Sequence, residues 1–218
     1  GADLIGFGDI GGLPAEVRGG LPVGVSVAMK YPRETIRGIA ELPTAAYYEQ
    51  YGILNERLDA LVAFGAAFLQ ARGYQAIAQT REYAGNGEKI DSTLLPHKTI
   101  ATRAGIGWIG KCALLVTKEF GSMIRLSSIL TDAPFETAAP VDQSDCGDCM
   151  ICRDACPGGA VSGKLWSLGL YRDAFFDIAA CRKTARERSI RGFGEDASVC
   201  GKCIEVCPYT QRYLKGES

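Results

Sequence analysis

Residues 146–157 read Cys146-Gly-Asp-Cys149-Met-Ile-Cys152-Arg-Asp-Ala-Cys156-Pro157, and residues 200–208 read Cys200-Gly-Lys-Cys203-Ile-Glu-Val-Cys207-Pro208. The first run is C-x2-C-x2-C-x3-C-P, the pattern of bacterial 4Fe–4S ferredoxins. Its geometry follows from the cluster: each of the four iron corners takes one thiolate, and a tight loop presents three of them to one cube. The fourth Cys rides off on the following helix to a second cube. Pro157 lacks an N–H and turns the chain away. The second run has three cysteines, and by the same rule its last one belongs to the other cube. Cys207 therefore joins Cys146, Cys149 and Cys152. The second cube has Cys156, Cys200 and Cys203, and Cys181 fills its last corner. The C-x2-C pairs alone would also suit zinc ribbons. The third Cys inside the first run and a Pro after each last Cys favour iron–sulfur.

Outward from these runs the chain changes character. It has nine cysteines in 218 residues, and only Cys112 lies before residue 146. Such crowding in one tail points to a metal site in a reducing cytoplasm rather than to secreted disulfides. Cys112 has no partner Cys left and reads as a free buried thiol. Hydrophobic residues make up 47% and charged residues 22%, a balance that leaves a real core to bury. The formal charge of −1 argues against a dedicated nucleic-acid or acidic-membrane binder. No apolar run is long enough for a membrane span, and the start shows no signal peptide.

The body reads as mixed. Leu21–Met29 is strand-like. Apolar positions at Leu54, Leu58, Leu61, Val62, Phe64, Phe68 and Leu69 place a helix within 44–72, with Gly73 as its stop. Residues 74–80 read as a strand, 84–91 as a polar loop, 97–103 as a short helix, and 113–117 and 123–132 as strands. Residues 136–145 read as a linker. The expected fold is α+β: a mixed α/β body over residues 1–139, then a bacterial two-cluster ferredoxin-like domain over 140–218.

A ferredoxin of this kind needs only the tail, so the body implies a substrate, a second cofactor or a partner. Its most unusual stretch is Arg103-Ala-Gly105-Ile-Gly107-Trp108-Ile-Gly110-Lys111. The G-x-G-x-x-G spacing resembles a dinucleotide fingerprint, but the glycines follow a helix and lead into a strand, the reverse of that motif. Two readings remain: a backbone passing close to something bulky, with Arg103 and Lys111 offering positive charge, or a packed turn. The segment Cys181–Arg191 carries five cations and one Glu. Its readings are a solvated helix face, an RNA-phosphate contact, or a surface for an acidic electron donor such as a ferredoxin or flavodoxin.

The stretches LPHKTIATRAGIGWIGKCALLVT and FGSMIRLSSILTDAPF, both cysteine runs and the lone Cys181 between them together resemble the epoxyqueuosine reductase family. The resemblance covers about residues 88–213 and implies a body related to reductive dehalogenases and cobalamin-processing proteins, with two 4Fe–4S clusters passing electrons to a cobalamin. It implies the same four-and-four cysteine assignment. It also implies that Arg103, Gly105, Gly107, Trp108, Gly110, Lys111, Arg125 and Ser127 line the cofactor cavity. The family's Tyr-Gly-x-Asp-Tyr-His stretch is not recognisable; the nearest text is Tyr48-Glu-Gln-Tyr51-Gly52. The family's C-terminal helical repeats have no counterpart. The sequence is thus read as a short paralogue, with His97 and Asp91 as candidate catalytic groups in place of the missing acid. Glu82 and Tyr83 are weaker candidates.

The expected function is a cytoplasmic iron–sulfur oxidoreductase. It reduces a small or nucleoside-like substrate with the help of cobalamin, tRNA being the family's own substrate, and has no membrane partner. The alternative is an electron-transfer or reactivation module for a partner corrinoid protein or flavoprotein; an iron–sulfur sensor comes third.

Overall fold

A computed structural model of the chain describes residues 1–84 and 95–216. The strands are, in chain order, β1 (Leu4–Asp9), β2 (Val23–Lys30), β3 (Ala76–Ala78), β4 (Trp108–Ile109), β5 (Leu115–Val116) and β6 (Ile124–Thr131). The helices are α1 (Arg33–Arg37), α2 (Ala45–Gln70), α3 (Arg81–Ala84), α4 (His97–Arg103), α5 (Ile151–Asp154), α6 (Ile178–Phe193), α7 (Lys202–Glu205) and α8 (Pro208–Lys215). The chain falls into two compact units. Gly1–Met29, Ile53–Gly107 and Arg125–Val141 form the first; Lys30–Gly52, Trp108–Ile124 and Asp142–Ser218 form the second.

The first unit is built on a four-stranded sheet in the order β1-β2-β6-β3, with β1/β2 and β3/β6 antiparallel. In β2 every residue from Val23 to Met29 is buried, because the strand is central. That replaces the alternation expected of a half-exposed strand. The core gathers Ile10, Leu21, Ile100 and Leu130. Helix α4 lies against β1 so closely that a Cβ on Gly8 would stand 2.5 Å from the Arg103 carbonyl carbon and 2.6 Å from the Ala104 nitrogen. Within this unit α2 presents Leu54, Leu58, Val62, Ala66 and Leu69 inward at a helical repeat. Gly65 lets it approach Ile129. Phe64 and Phe68, expected on the apolar face, point outward instead, 70% and 46% exposed.

The second unit joins the tail to two earlier segments, which corrects the expectation of one body spanning 1–139. The reason is packing. A Cβ on Gly201 would meet Ile39 and Tyr47, and one on Gly121 would meet the backbone of Thr210. The β4/β5 hairpin pairs Trp108 with Val116 and Ile109 with Leu115. Its residues Ile109, Cys112 and Ala113 share one core with Ala160, Val161, Trp166, Phe175 and Phe176. Helix α6 is capped by Asp177, whose side chain accepts from the Ala180 N–H, and closes on left-handed Gly194. The Ser189 hydroxyl sits within 2.9 Å of the carbonyls of Ala185, Ala197 and Val199, and so ties the lead-in to Cys200 onto the helix.

Candidate iron–sulfur centre and the polar cluster of the first unit

All eight tail cysteines lie in the second unit, and all nine cysteines of the chain are free thiols. Short helices deliver them. Cys152 rides on α5, Cys181 on the first turn of α6, Cys203 on α7, and Cys207 immediately precedes α8. Cysteines of the separate runs are electrostatic neighbours within this unit. Burial raises the Cys207 thiol, and Cys146 adds to this as a charged neighbour; the N–H groups of Thr210 and Tyr209 act in the opposite sense. Burial, then the charges of Cys200 and Cys156, push the Cys181 thiol up to about 11. Further donors aim at sulfur: Ala160 N–H lies 3.3 Å from Cys156 Sγ, and the Trp108 indole N–H lies 3.4 Å from Cys146 Sγ. Free thiols grouped across the runs, with N–H groups pointed at sulfur, fit a pair of 4Fe–4S clusters.

Cys112 is buried among the same core residues and neighbours one thiol of each set. Its hydrogen bond with Cys152 pulls its pKa down, but the bond with Cys203 and burial carry it well above the usual thiol range. It remains the unassigned ninth thiol, as the sequence suggests.

The glycine-rich stretch is divided between the units after Gly107. In the first unit Arg103 donates to the Val141 carbonyl at 2.8 Å. Gly105 has φ +67°, and a Cβ there would crowd Ala138 and the Ala139 carbonyl. In the second unit a Cβ on Gly110 would stand 2.8 Å from Val116. Both glycines are thus explained by the chain's own packing, the second of the two readings. Lys111 is only 2% exposed, and its ammonium bonds the Gly147 and Cys149 carbonyls. Arg125 donates to Asn55 Oδ1 at 2.9 Å, and Ser127 to the Gln79 carbonyl at 3.1 Å. The side chains of the expected cavity set are therefore engaged within the chain.

His97 lies in a polar cluster of the first unit. Its Nδ1 is 2.8 Å from Ser128 Oγ, and that hydroxyl donates to Gln79 Oε1 at 2.7 Å. One hydroxyl proton serves one acceptor, so Nδ1 carries a proton and donates to Ser128, leaving Nε2 as an acceptor. Burial, aided by the Arg125 charge and opposed by Asp59, lowers the His97 pKa to about 4. The imidazole is therefore neutral at pH 7. Sequence reading missed Asn55 and Asp59, which α2 brings beside this cluster; their helical spacing of four was the available signal. Asp59 holds Arg81 at 2.6 Å. Asp91 lies outside the described residues, and Glu82 and Tyr83 are exposed on α3. In the basic stretch of α6, Arg186 pairs with Asp196 and Arg188 bonds the Glu41 carbonyl.

The His97 shift has a pH consequence. The unfolded imidazole takes a proton near pH 6.5 and the folded one only near 4. Stability is therefore full above 6.5 and falls as pH drops toward 4. Between pH 7.5 and 5 the loss is about 2 kcal/mol. Urea unfolding of wild type and His97→Gln at both pH values should show this extra loss in wild type alone.

The chain combines an α/β unit with a cysteine-rich segment of the double 4Fe–4S-binding class. Residues 145–210 match the 4Fe-4S double cluster binding domain family. The chain covers 95% of itself on a reductive dehalogenase structure described as suggesting a mechanism for B12-dependent dehalogenation, at TM-score 0.71, 19% identity and 30% of that chain. It covers 97% of itself on an epoxyqueuosine reductase crystallised with an epoxyqueuosine-modified tRNA stem loop, at TM-score 0.59, 22% identity and 62% of that chain.

In sequence the chain is a relative of the epoxyqueuosine reductases. It is 30% identical to that of Pseudomonas aeruginosa over 91% of its own length and 54% of the relative's. Against that of Bacillus subtilis it is 31% identical over 84% of its own length and 46% of the relative's. The chain spans about half the length of these curated relatives. Among the described residues no helix is long and apolar enough to cross a membrane.

Proposed function

We propose that this chain is an iron–sulfur oxidoreductase of the epoxyqueuosine reductase type. Cys146, Cys149, Cys152 and Cys207 hold one 4Fe–4S cluster, and Cys156, Cys181, Cys200 and Cys203 hold the other. The observation that carries this reading is the meeting of cysteines from separate runs: Cys207 with Cys146, and Cys181 with Cys200 and Cys156. Bound clusters supply one-electron chemistry that no side chain of the polypeptide offers. The first unit holds the acceptor. A cobalamin is the class this reading assigns, supported by the likeness to the B12-dependent dehalogenase. The substrate is nucleoside-like, supported by the names of the relatives. The donor is a ferredoxin or flavodoxin, supported by the basic residues of α6 next to Cys181.

In the first unit the chain's own residues offer His97 as a neutral group. Its donor side is held by Ser128. Arg125 and Asp59 set the charge around it.

Two measurements test the reading. Anaerobically purified protein should carry about eight irons per chain and absorb broadly near 400 nm. It should then retain added cobalamin through gel filtration at close to one per chain. Zinc in place of iron removes the cluster assignment. Iron without cobalamin uptake leaves the electron-transfer module as the function.

A further inference from the structure

We propose that the hairpin segment Trp108–Lys111 is a positioning bracket for the first cluster, and that it makes this cluster the easier of the two to reduce. The inference rests on the cysteine assignment proposed above and concerns which of the two clusters holds the electron.

Lys111 carries the argument. Its side chain is almost wholly inside the protein, where an ammonium is costly unless its charge is answered. Its bonds go to the carbonyls of Gly147 at 2.7 Å and Cys149 at 3.0 Å, with Met150 Sδ at 3.6 Å. None is a carboxylate. All three partners lie in the loop that carries Cys146 and Cys149, so the buried cation faces the place where an anion binds. A cluster held by four thiolates is such an anion, and it gains a further negative charge on reduction.

Trp108 acts on the same loop from the start of the hairpin. Its indole N–H is aimed at Cys146 Sγ, and its ring meets Tyr209 edge-on at 4.9 Å, two residues beyond Cys207. It thus reaches the sulfur of Cys146 and the turn that follows Cys207. Gly110 completes the fit, since a Cβ there would press on Val116 and lie 3.6 Å from Cys146 Sγ. Of the second set, Cys156 takes a backbone N–H from Ala160, and the buried cation lies in the loop of the first set. Hydrogen bonds to sulfur and nearby positive charge both stabilise the reduced form of a cluster. On uptake of one electron from a donor the first cluster is favoured.

The experiment is an EPR-monitored redox titration of anaerobic, cluster-loaded protein, comparing wild type with Trp108→Phe, Lys111→Met and Lys111→Arg. Trp108→Phe keeps the ring and removes the donor. It should shift the reduction equilibrium of one cluster about threefold toward the oxidised form. Lys111→Met should shift the same cluster about tenfold, equivalent to 59 mV for one electron. Lys111→Arg should restore most of that shift. The other cluster should not move. In a Cys181→Ser background, where the first cluster stands alone, Trp108→Phe should shift the single remaining midpoint. Should Lys111→Met fail to load, the Trp108→Phe pair decides. Loaded clusters with unmoved midpoints overturn the bracket and leave the cysteine assignment standing. Wild-type protein without iron overturns the assignment itself, and the bracket with it.

Discussion

Cys181→Ser protein, purified without oxygen, should hold about four irons where wild type holds about eight, and its absorbance near 400 nm should fall by half. Cys181 belongs to neither sequence run. It stands alone on the first turn of α6, yet Cys200 and Cys156 are its charged neighbours. A serine there fits the space and removes the soft thiolate that iron requires. The first set does not include it, so that cluster remains. Cys112→Ala is the matched control. Cys112 is buried within hydrogen-bond reach of Cys152 and Cys203, close enough to compete for a ligand role on proximity alone. Closed four-and-four arithmetic excludes it, so this variant should keep both clusters. The reverse pattern, full iron in Cys181→Ser and half in Cys112→Ala, would transfer the ligand role from one thiol to the other.

Gly8→Ala should destabilise the protein by about 3 kcal/mol in urea unfolding. The glycine is not needed for an unusual backbone angle; it is needed for space. The atoms its methyl would strike are the Arg103 carbonyl carbon and the Ala104 nitrogen, and backbone cannot rotate aside as a side chain does. Strand β1 and helix α4 must part, and α4 carries His97 and Arg103. Gly12→Ala, with nothing within 4 Å of the added carbon, should change stability by less than about 0.5 kcal/mol. Equal effects at the two positions would mean that the close approach of β1 to α4 is not what Gly8 provides.

The double 4Fe–4S-binding segment was legible in the sequence because iron–sulfur loops impose fixed local spacing. The helices and strands were legible for a similar reason: the repeat Leu54, Leu58, Val62 and the β-branched runs at 23–27 and 124–131 are local signals. What escaped was set by contacts distant along the chain. Phe64 and Phe68 satisfy a helical pattern, and no local rule says which face turns outward. Strand β4 hides inside a glycine-rich turn because it is only Trp108–Ile109 long. Lys111 reads as a charge offered to a bound group, and only the fold shows that the carbonyls of Gly147 and Cys149 receive it. The electrical state of His97 depends on burial, which no residue adjacent to it announces.

The interleaving of the two units bears on how such a protein can be dissected or inherited. A fragment cut from the carboxyl end would keep all eight tail cysteines. It would lose Trp108, Lys111 and Ile109, along with Ile39 and Tyr47, and so expose the inner wall of its own core. Transplanting the second unit into another protein takes three spliced pieces, and a single recombination crossover does not deliver it.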